Sequence, residues 1–132
     1  MNKAVVDTSA LLAVINLETG SRRVSELLAD EDIEVMVSAV NLSEAQAVLI
    51  NRGIPGDEAW KLLTAFGLEV IPFDAELARM AGILIALTKK FGLSLGDRAC
   101  LASGMREGCI VITSDQAWRK LKVEVEIEFI RG

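Results

Sequence analysis

Short apolar runs alternate along this chain with longer amphipathic stretches, and the alternation sets out its elements. Val5-Val6 is an apolar run that stops at Asp7; Thr8-Ser9 and Leu11-Leu12 follow, so the pattern reads strand, tight junction, helix. A second helix covers about Ser21 to Ala29, with Val24, Leu27 and Leu28 on one face. Glu34 to Ser38 reads as a buried strand, and a helix from about Leu42 to Asn51 stops at Gly53. Another helix, Asp57 to Phe66, ends at Gly67, and Leu68 to Ile71 is a strand closed by Pro72. Asp74 then caps a long apolar helix that reaches Lys89-Lys90 and stops at Gly92.

Ser94 opens the next helix, which runs to Arg106 and ends at Gly108. Cys109 to Thr113 is a strand, and a short helix lies around Gln116 to Leu121. Val125, Ile127 and Phe129 alternate with Glu124, Glu126 and Glu128 in a last strand with one wet face. Five strands separated by helices, with no linker or repeat, predict an α/β sandwich with a mainly parallel sheet and right-handed crossovers. At 132 residues the chain reads as a single domain over 1–132.

Composition sharpens this picture. Hydrophobic residues make up 52%, and the 10 glycines bring the apolar fraction to about 60%, above the roughly 45–50% of an average domain. The surplus points to a surface covered by a partner. Histidine is absent, which excludes a Ser-His-Asp triad, a Cys-His pair, a His-based ribonuclease mechanism and a His-ligated zinc site. A hydrolase of this composition must work with carboxylates and hydroxyls, helped by a hard metal ion. The net charge of −5 does not by itself predict a nucleic-acid partner. Cys100 and Cys109 lack a repeated spacing and read as core residues. The N-terminal stretch contains Asp7 and lacks a signal-peptide core, and the run Ile83 to Leu87 is far short of the ~20 residues needed to span a bilayer. The expectation is a cytoplasmic protein with no membrane contact.

Ligands of such sheets bind beyond the carboxyl ends of the strands, and that rule sorts the acids. Glu124, Glu126, Glu128 and the Asp30-Glu31-Asp32 loop read as solvated surface, and Asp74 as a cap. Glu18, Glu26, Asp57, Glu58, Glu69, Glu76 and Glu107 read as helix-surface or loop positions. Four acids remain at strand-to-helix junctions among apolar neighbours: Asp7, Glu44, Asp97 and Asp115. Each has a plain structural use. Asp7 and Asp115 suit helix N-caps, and Asn41-Leu-Ser-Glu44 and Ser94-Leu-Gly-Asp97 fit the capping-box spacing. Together they would converge on one sheet edge, where they repel one another and resist desolvation. A bound Mg²⁺ or Mn²⁺, which takes oxygen ligands and retains waters, would relieve most of that repulsion. Ser9 and Ser114 are placed either to hold a water or a phosphate oxygen or to cap a helix start. Gly96 lets the backbone come close beside Asp97, and Arg98 is either a phosphate contact or an ordinary surface residue.

The blocks Val5-Val-Asp7-Thr-Ser-Ala-Leu-Leu12, Asn41-Leu-Ser-Glu44, Leu95-Gly-Asp97-Arg-Ala-Cys-Leu-Ala102 and Thr113-Ser-Asp115-Gln-Ala-Trp118 together resemble a PIN domain. They resemble in particular the VapC-type toxins of bacterial and archaeal toxin–antitoxin pairs. The similarity runs in order along the whole chain, and Leu-Gly-Asp-Arg-Ala-Cys is its most specific block. The resemblance implies a three-layer sandwich around a five-stranded parallel sheet, with Asp7, Glu44, Asp97 and Asp115 as the metal-binding and catalytic set. It further implies a Mg²⁺- or Mn²⁺-dependent endoribonuclease acting on RNA, a homodimer, and a cognate antitoxin that covers the active groove. Gln116, Ala117 and Trp118 stand where some relatives carry a further acid, which puts a second firmly held metal in question.

The helix Ala75–Lys90, with Leu77, Met80, Ala81, Leu84, Ile85 and Leu87, is apolar on more than one face. It is either a central core helix or part of a dimer or antitoxin surface. Leu11, Leu12, Val24 and Leu27 are candidates for the antitoxin groove, and Trp60 and Trp118 read as packing residues. Two other function classes stay open. One is a non-catalytic binding module whose acids only cap helices. The other is a phosphoryl-transfer enzyme using Asp7, although Ser9 and Thr113-Ser114-Asp115 stand where such enzymes want a second Asp or a late-strand Lys.

Overall fold

Each strand in the computed structural model, which describes residues 2–131, is a short, largely apolar run leading into a turn or helix. The strands are β1 (Lys3–Val6), β2 (Glu34–Ser38), β3 (Glu69–Ile71), β4 (Ile110–Thr113) and β5 (Ile127–Phe129). They form one sheet in the order β3-β2-β1-β4-β5, and every pairing is parallel. Val5 at the centre lies opposite Met36 on one side and Val111 on the other. The helices are α1 (Thr8–Ile15), α2 (Ser21–Ala29), α3 (Ala39–Asn51), α4 (Gly56–Thr64), α5 (Ala75–Ile83), α6 (Ile85–Thr88) and α7 (Leu95–Glu107). Short 3-10 turns cover Lys89–Phe91 and Gln116–Lys120.

The period of two along the strands divides the core into two apolar layers. Ala4, Val6, Val37 and Ile112 face Leu11, Val24, Leu27, Leu49 and Leu63 from α1–α4. Val5, Met36 and Val111 face Leu77, Leu84, Cys100, Leu101 and Trp118 on the other side. Both faces of the central strands are therefore dry, which is why they read as unbroken apolar runs. α7 is the most enclosed helix, with Ala99 to Gly104 all buried. A methyl group at Gly104 would run into the Val111 side chain, so glycine here lets α7 lie close on β4. The chain builds β1, β2 and β3 outward in one direction, then returns to place β4 on the other side of β1. The strand order reverses between β1 and β4, and a crevice opens at such a point.

Several expectations need correction. The helix expected over Ala75–Lys90 is three pieces: α5, α6 and the Lys89–Phe91 turn. Leu84 O accepts from the N–H groups of Leu87 and Thr88 and from the buried Thr88 hydroxyl, and such side-chain back-bonding bends helices. Asn41-Leu-Ser-Glu44 is not a capping box. α3 begins at Ala39, capped by Ser38, whose hydroxyl accepts from the Val40 N–H at 3.2 Å, and Asn41 is buried inside the helix. Leu11, Val24 and Leu27 are buried under α1 and α2, and only Leu12 among the four borders an open depression. The exposed large apolar side chains include Leu17 after α1, Ile83, Ile85, Leu87 and Leu95, and Ile50, Trp60, Leu62 and Val70. Trp118 packs in the core as expected, whereas Trp60 is 44% exposed. β5 begins only at Ile127, because Val125 would sit opposite Cys109, which precedes β4. Both cysteines are free thiols. No helix among the described residues is long and apolar enough to cross a membrane.

Candidate active site

Asp7 leaves β1 and caps α1, its Oδ1 accepting from the Ala10 N–H at 2.8 Å. Thr113 at the end of β4 donates its hydroxyl to Asp7 Oδ2 at 2.6 Å, and Ser9 donates to the same carboxylate at 2.8–2.9 Å. These bonds favour the charged form, yet Asp7 is only 2% exposed. Burial outweighs them and pushes its carboxyl from 3.8 up to about 6, with the Asp97 charge adding to the rise. Asp97 lies in the first turn of α7 and shares a capping box with Ser94: each accepts a bond from the other's backbone N–H, at 2.9 and 3.2 Å. Burial raises its carboxyl too; the two bonds with Ser94 oppose the rise, the Asp115 charge adds to it and Arg98 weakly opposes it.

Asp115 caps the 116–120 turn through the Ala117 N–H at 2.9 Å, and its own N–H donates to Thr113 Oγ1 at 3.0 Å. Glu44 differs from the other three. It sits in the second turn of α3, caps nothing, and accepts from Thr8 Oγ1 at 2.9 Å. Asn41, one turn earlier on the same helix, donates to Thr8 Oγ1 at 3.0 Å and to Gly96 O at 3.1 Å, tying α1, α3 and α7 together. A methyl group at Gly96 would overlap the Glu44 carboxylate, so glycine lets the first turn of α7 lie against that acid.

All four acids line one open depression of about 440 Å³, together with Thr8, Ser9, Leu12, Ala47 and Val48. It sits beyond the carboxyl ends of β1 and β4, where the strand order reverses. A larger hollow of about 590 Å³ lies at the opposite strand ends; it holds Glu107, Glu126 and Glu128, but Glu107 and Glu128 are paired with Lys3 and Arg23. The chain matches the PIN domain family over residues 4–124. It belongs to that family. No curated protein matches it. Among solved structures, it is similar to VapBC2 from Rickettsia felis, solved bound to a promoter DNA fragment. The identity there is 18%, covering 96% of this chain and 98% of that one, with a TM-score of 0.73. DNA-bound VapBC from Salmonella typhimurium gives 18% identity, 98% and 99% coverage and a TM-score of 0.73. VapBC-5 from Mycobacterium tuberculosis, a member of the VapBC family of toxin-antitoxin systems, gives 24%, full coverage of both chains and 0.63.

In this PIN domain the other expected site residues fare unevenly. Ser9 lines the depression, but its hydroxyl proton is committed to Asp7 and its oxygen accepts the Ser114 N–H at 3.0 Å. Ser114 thus contributes through its backbone and does not line the depression. Arg98 is not brought to the wall: its guanidinium donates to Ala81 O at the end of α5, at 2.9 Å. Sequence reasoning missed Asn41 as a brace and Thr8 as the partner of Glu44. The available signal was the Asn41–Glu44 spacing of three, which places both on one helix face.

The donor set suits a hard divalent cation: every candidate ligand is an oxygen, histidine is absent from the sequence, and Cys100 is buried away from the lining. Asp7 and Asp97 are held against their own desolvation and against neighbouring negative charge, a strain that a cation relieves. Asn41 Oδ1 is a further buried oxygen with no hydrogen-bond partner. Among the described residues, no three acids or cysteines stand close enough together to chelate one ion.

Proposed function

We propose that this PIN domain is a Mg²⁺- or Mn²⁺-dependent endoribonuclease of the VapC toxin type, which works in the cytoplasm as a homodimer and is silenced by an antitoxin. The observation that carries the reading is the meeting of Asp7, Glu44, Asp97 and Asp115 from four separate elements at the strand-order reversal. Capping alone does not call for that convergence, and it does not account for Glu44 at all. The similarity to VapBC structures supports the toxin assignment and the antitoxin partner. The exposed Ile83, Ile85, Leu87 and Leu95 support a covered protein surface.

In this reading the four acids hold the cation, directly or through its waters. When bound, the cation supplies Lewis acidity and a water of lowered pKa for attack on a phosphodiester. Ser9 and Thr113 lock the Asp7 carboxylate in one orientation, and Thr8 does the same for Glu44. Leu12, Ala47 and Val48 give one wall of the depression an apolar lining, suited to a sugar or base edge beside the phosphate.

The test is cleavage of defined RNAs with Mg²⁺ or Mn²⁺, with and without chelator, beside an Asp97→Asn control. Metal-dependent cleavage lost in the variant supports the assignment; equal activity in both proteins means a contaminant and removes it. One observation favours the rival reading of a non-catalytic module, since Asp7, Asp97 and Asp115 do cap their helices or turn. That module predicts clear destabilisation of Asp97→Ala and Asp115→Ala, by ~1 kcal/mol each, and no metal-induced change in the melting of the wild type. The phosphoryl-transfer alternative gains nothing from the geometry, because Asp7 is buried with both carboxylate oxygens already hydrogen-bonded.

A further inference from the structure

An acidic chain that acts on a polyanion needs cations gathered in one place, and five of its 14 basic side chains are already engaged by other groups. Lys3, Arg23 and Arg106 are held by Glu107, Glu128 and Asp74. Arg98 is folded onto Ala81 O, and Arg119 is bound to Gln116 and Arg131 O and stacked on Phe129. Lys90, Lys120 and Lys122 line a single depression of about 170 Å³ with Ala86, Leu87 and Phe91, and none of the three has an acidic partner among the described residues.

Residues distant in sequence make up this group, and the fold holds them in place. Lys90 lies over the Phe91 ring, 5.3 Å from its centroid, which restrains the ammonium group. The buried Trp118 anchors the turn that carries Lys120. Both segments also run straight out of the acidic site. Lys120 ends the turn that Asp115 caps, and the Lys89–Phe91 turn leads through Leu93 into the first turn of α7, where Asp97 sits. At roughly 2 Å of rise per residue, a 3-10 turn sets Lys120 about 10 Å from Asp115, a short step along a single strand.

We infer that Lys90, Lys120 and Lys122 form a phosphate-binding patch for single-stranded RNA, which holds the strand beside the acidic depression. This rests on the endoribonuclease reading and supplies what the net charge of −5 leaves missing. A lysine patch binds phosphates without regard to sequence, so it contributes affinity and orientation, and cleavage preference must come from elsewhere. The half-buried Phe91 ring carries Lys90 and is not offered as a stacking surface.

The experiment measures binding of an unstructured RNA oligonucleotide in chelator, so that no cleavage occurs, at 50 and 200 mM salt. The wild type is compared with the triple variant Lys90→Gln, Lys120→Gln, Lys122→Gln and with a remote control, Lys61→Gln on α4. For three phosphate contacts on a single strand, the slope of log affinity against log salt falls by about 2 in the triple variant. Between those two salt concentrations the wild type then loses about 20-fold more affinity than the variant does. Lys61→Gln is expected to match the wild type, and unchanged melting of the triple variant confirms its fold. Equal salt slopes in wild type and triple variant overturn the patch, as does a wild type that binds no RNA. The endoribonuclease reading fails separately: a protein that shows the lysine-dependent slope but never cleaves with Mg²⁺ or Mn²⁺ keeps the patch and loses the nuclease.

Discussion

Asp7 has more hydrogen-bond donors than any other acid among the described residues and still cannot hold its charge comfortably. With an ordinary carboxyl value of 3.8 and a folded value of about 6, the folded protein binds a proton more tightly than the unfolded chain does. The sign follows: between about pH 4 and pH 6, metal-free stability falls as pH rises, by up to about 3 kcal/mol from this residue. Asp7→Asn keeps an acceptor for the Ala10 N–H and removes the charge. In chelator at pH 7.5 it is expected to melt above the wild type, and at pH 4 the two should converge; a variant that melts lower at both values removes the burial explanation. Gly96→Ala tests the same cluster from the other side. Alanine is the better helix former by roughly 0.5–1 kcal/mol, and the atoms its methyl meets are the flexible end of Glu44. Stability should hold or rise while metal-dependent cleavage drops about 100-fold, as expected when a catalytic group is displaced by about 1 Å. Undiminished cleavage would show that the position of Glu44 is immaterial.

At the scale of elements, the site depends on how α1, α3 and α7 are held together, and Asn41 is the brace between them. Asn41→Ala removes two buried bonds and leaves Gly96 O without its donor, a loss of about 1–3 kcal/mol in thermal or denaturant melting. Thr8→Val, which keeps the volume and deletes only the hydroxyl, should be milder in stability yet still release Glu44, so cleavage falls more than melting does. The sequence showed the caps plainly: Asp7, Asp74, Ser94 and Asp115 each cap as read, because a short acceptor before an apolar periodic stretch has few other uses. It misplaced the start of α3 because the true cap, Ser38, is also the last residue of β2. Asn41 then looked like a cap when it is a buried cross-link. The break in the Ala75–Lys90 helix was hidden for a related reason: Thr88 is an ordinary helix residue until its hydroxyl turns back to Leu84 O.

For the whole molecule, the alternation of apolar runs and helices carried the layers, since strands dry on both faces must be sandwiched between helices. What it could not carry was exposure. Leu11 and Ile83 are equally apolar letters, and only the placement of the sheet decides that one is core and the other 60% exposed. The same holds for Arg98, whose neighbour Asp97 faces the depression while the guanidinium turns to α5. The charge of the assembled site gives a global prediction. A cation that binds the folded chain at 100 times its dissociation constant stabilises it by about 2.7 kcal/mol, so Mg²⁺ or Mn²⁺ should raise the melting temperature by several degrees. Chelator should reverse the rise, and Asp97→Asn should blunt it; a wild type whose melting ignores both metals has no such site.

The strand order also sets when the acidic depression can exist. β1 precedes β2 and β3 in the chain, whereas its neighbour β4 follows both, and Asp115 follows β4. On the ribosome, Asp7 and Glu44 emerge long before, and Asp97 shortly before, the strand that closes the centre of the sheet and supplies Thr113 to lock Asp7. A nascent chain therefore has no assembled depression until β4 has been made. If the protein is a nuclease, its translation carries no danger to the message or to the ribosome producing it, and chains truncated before β4 should be harmless to the cell.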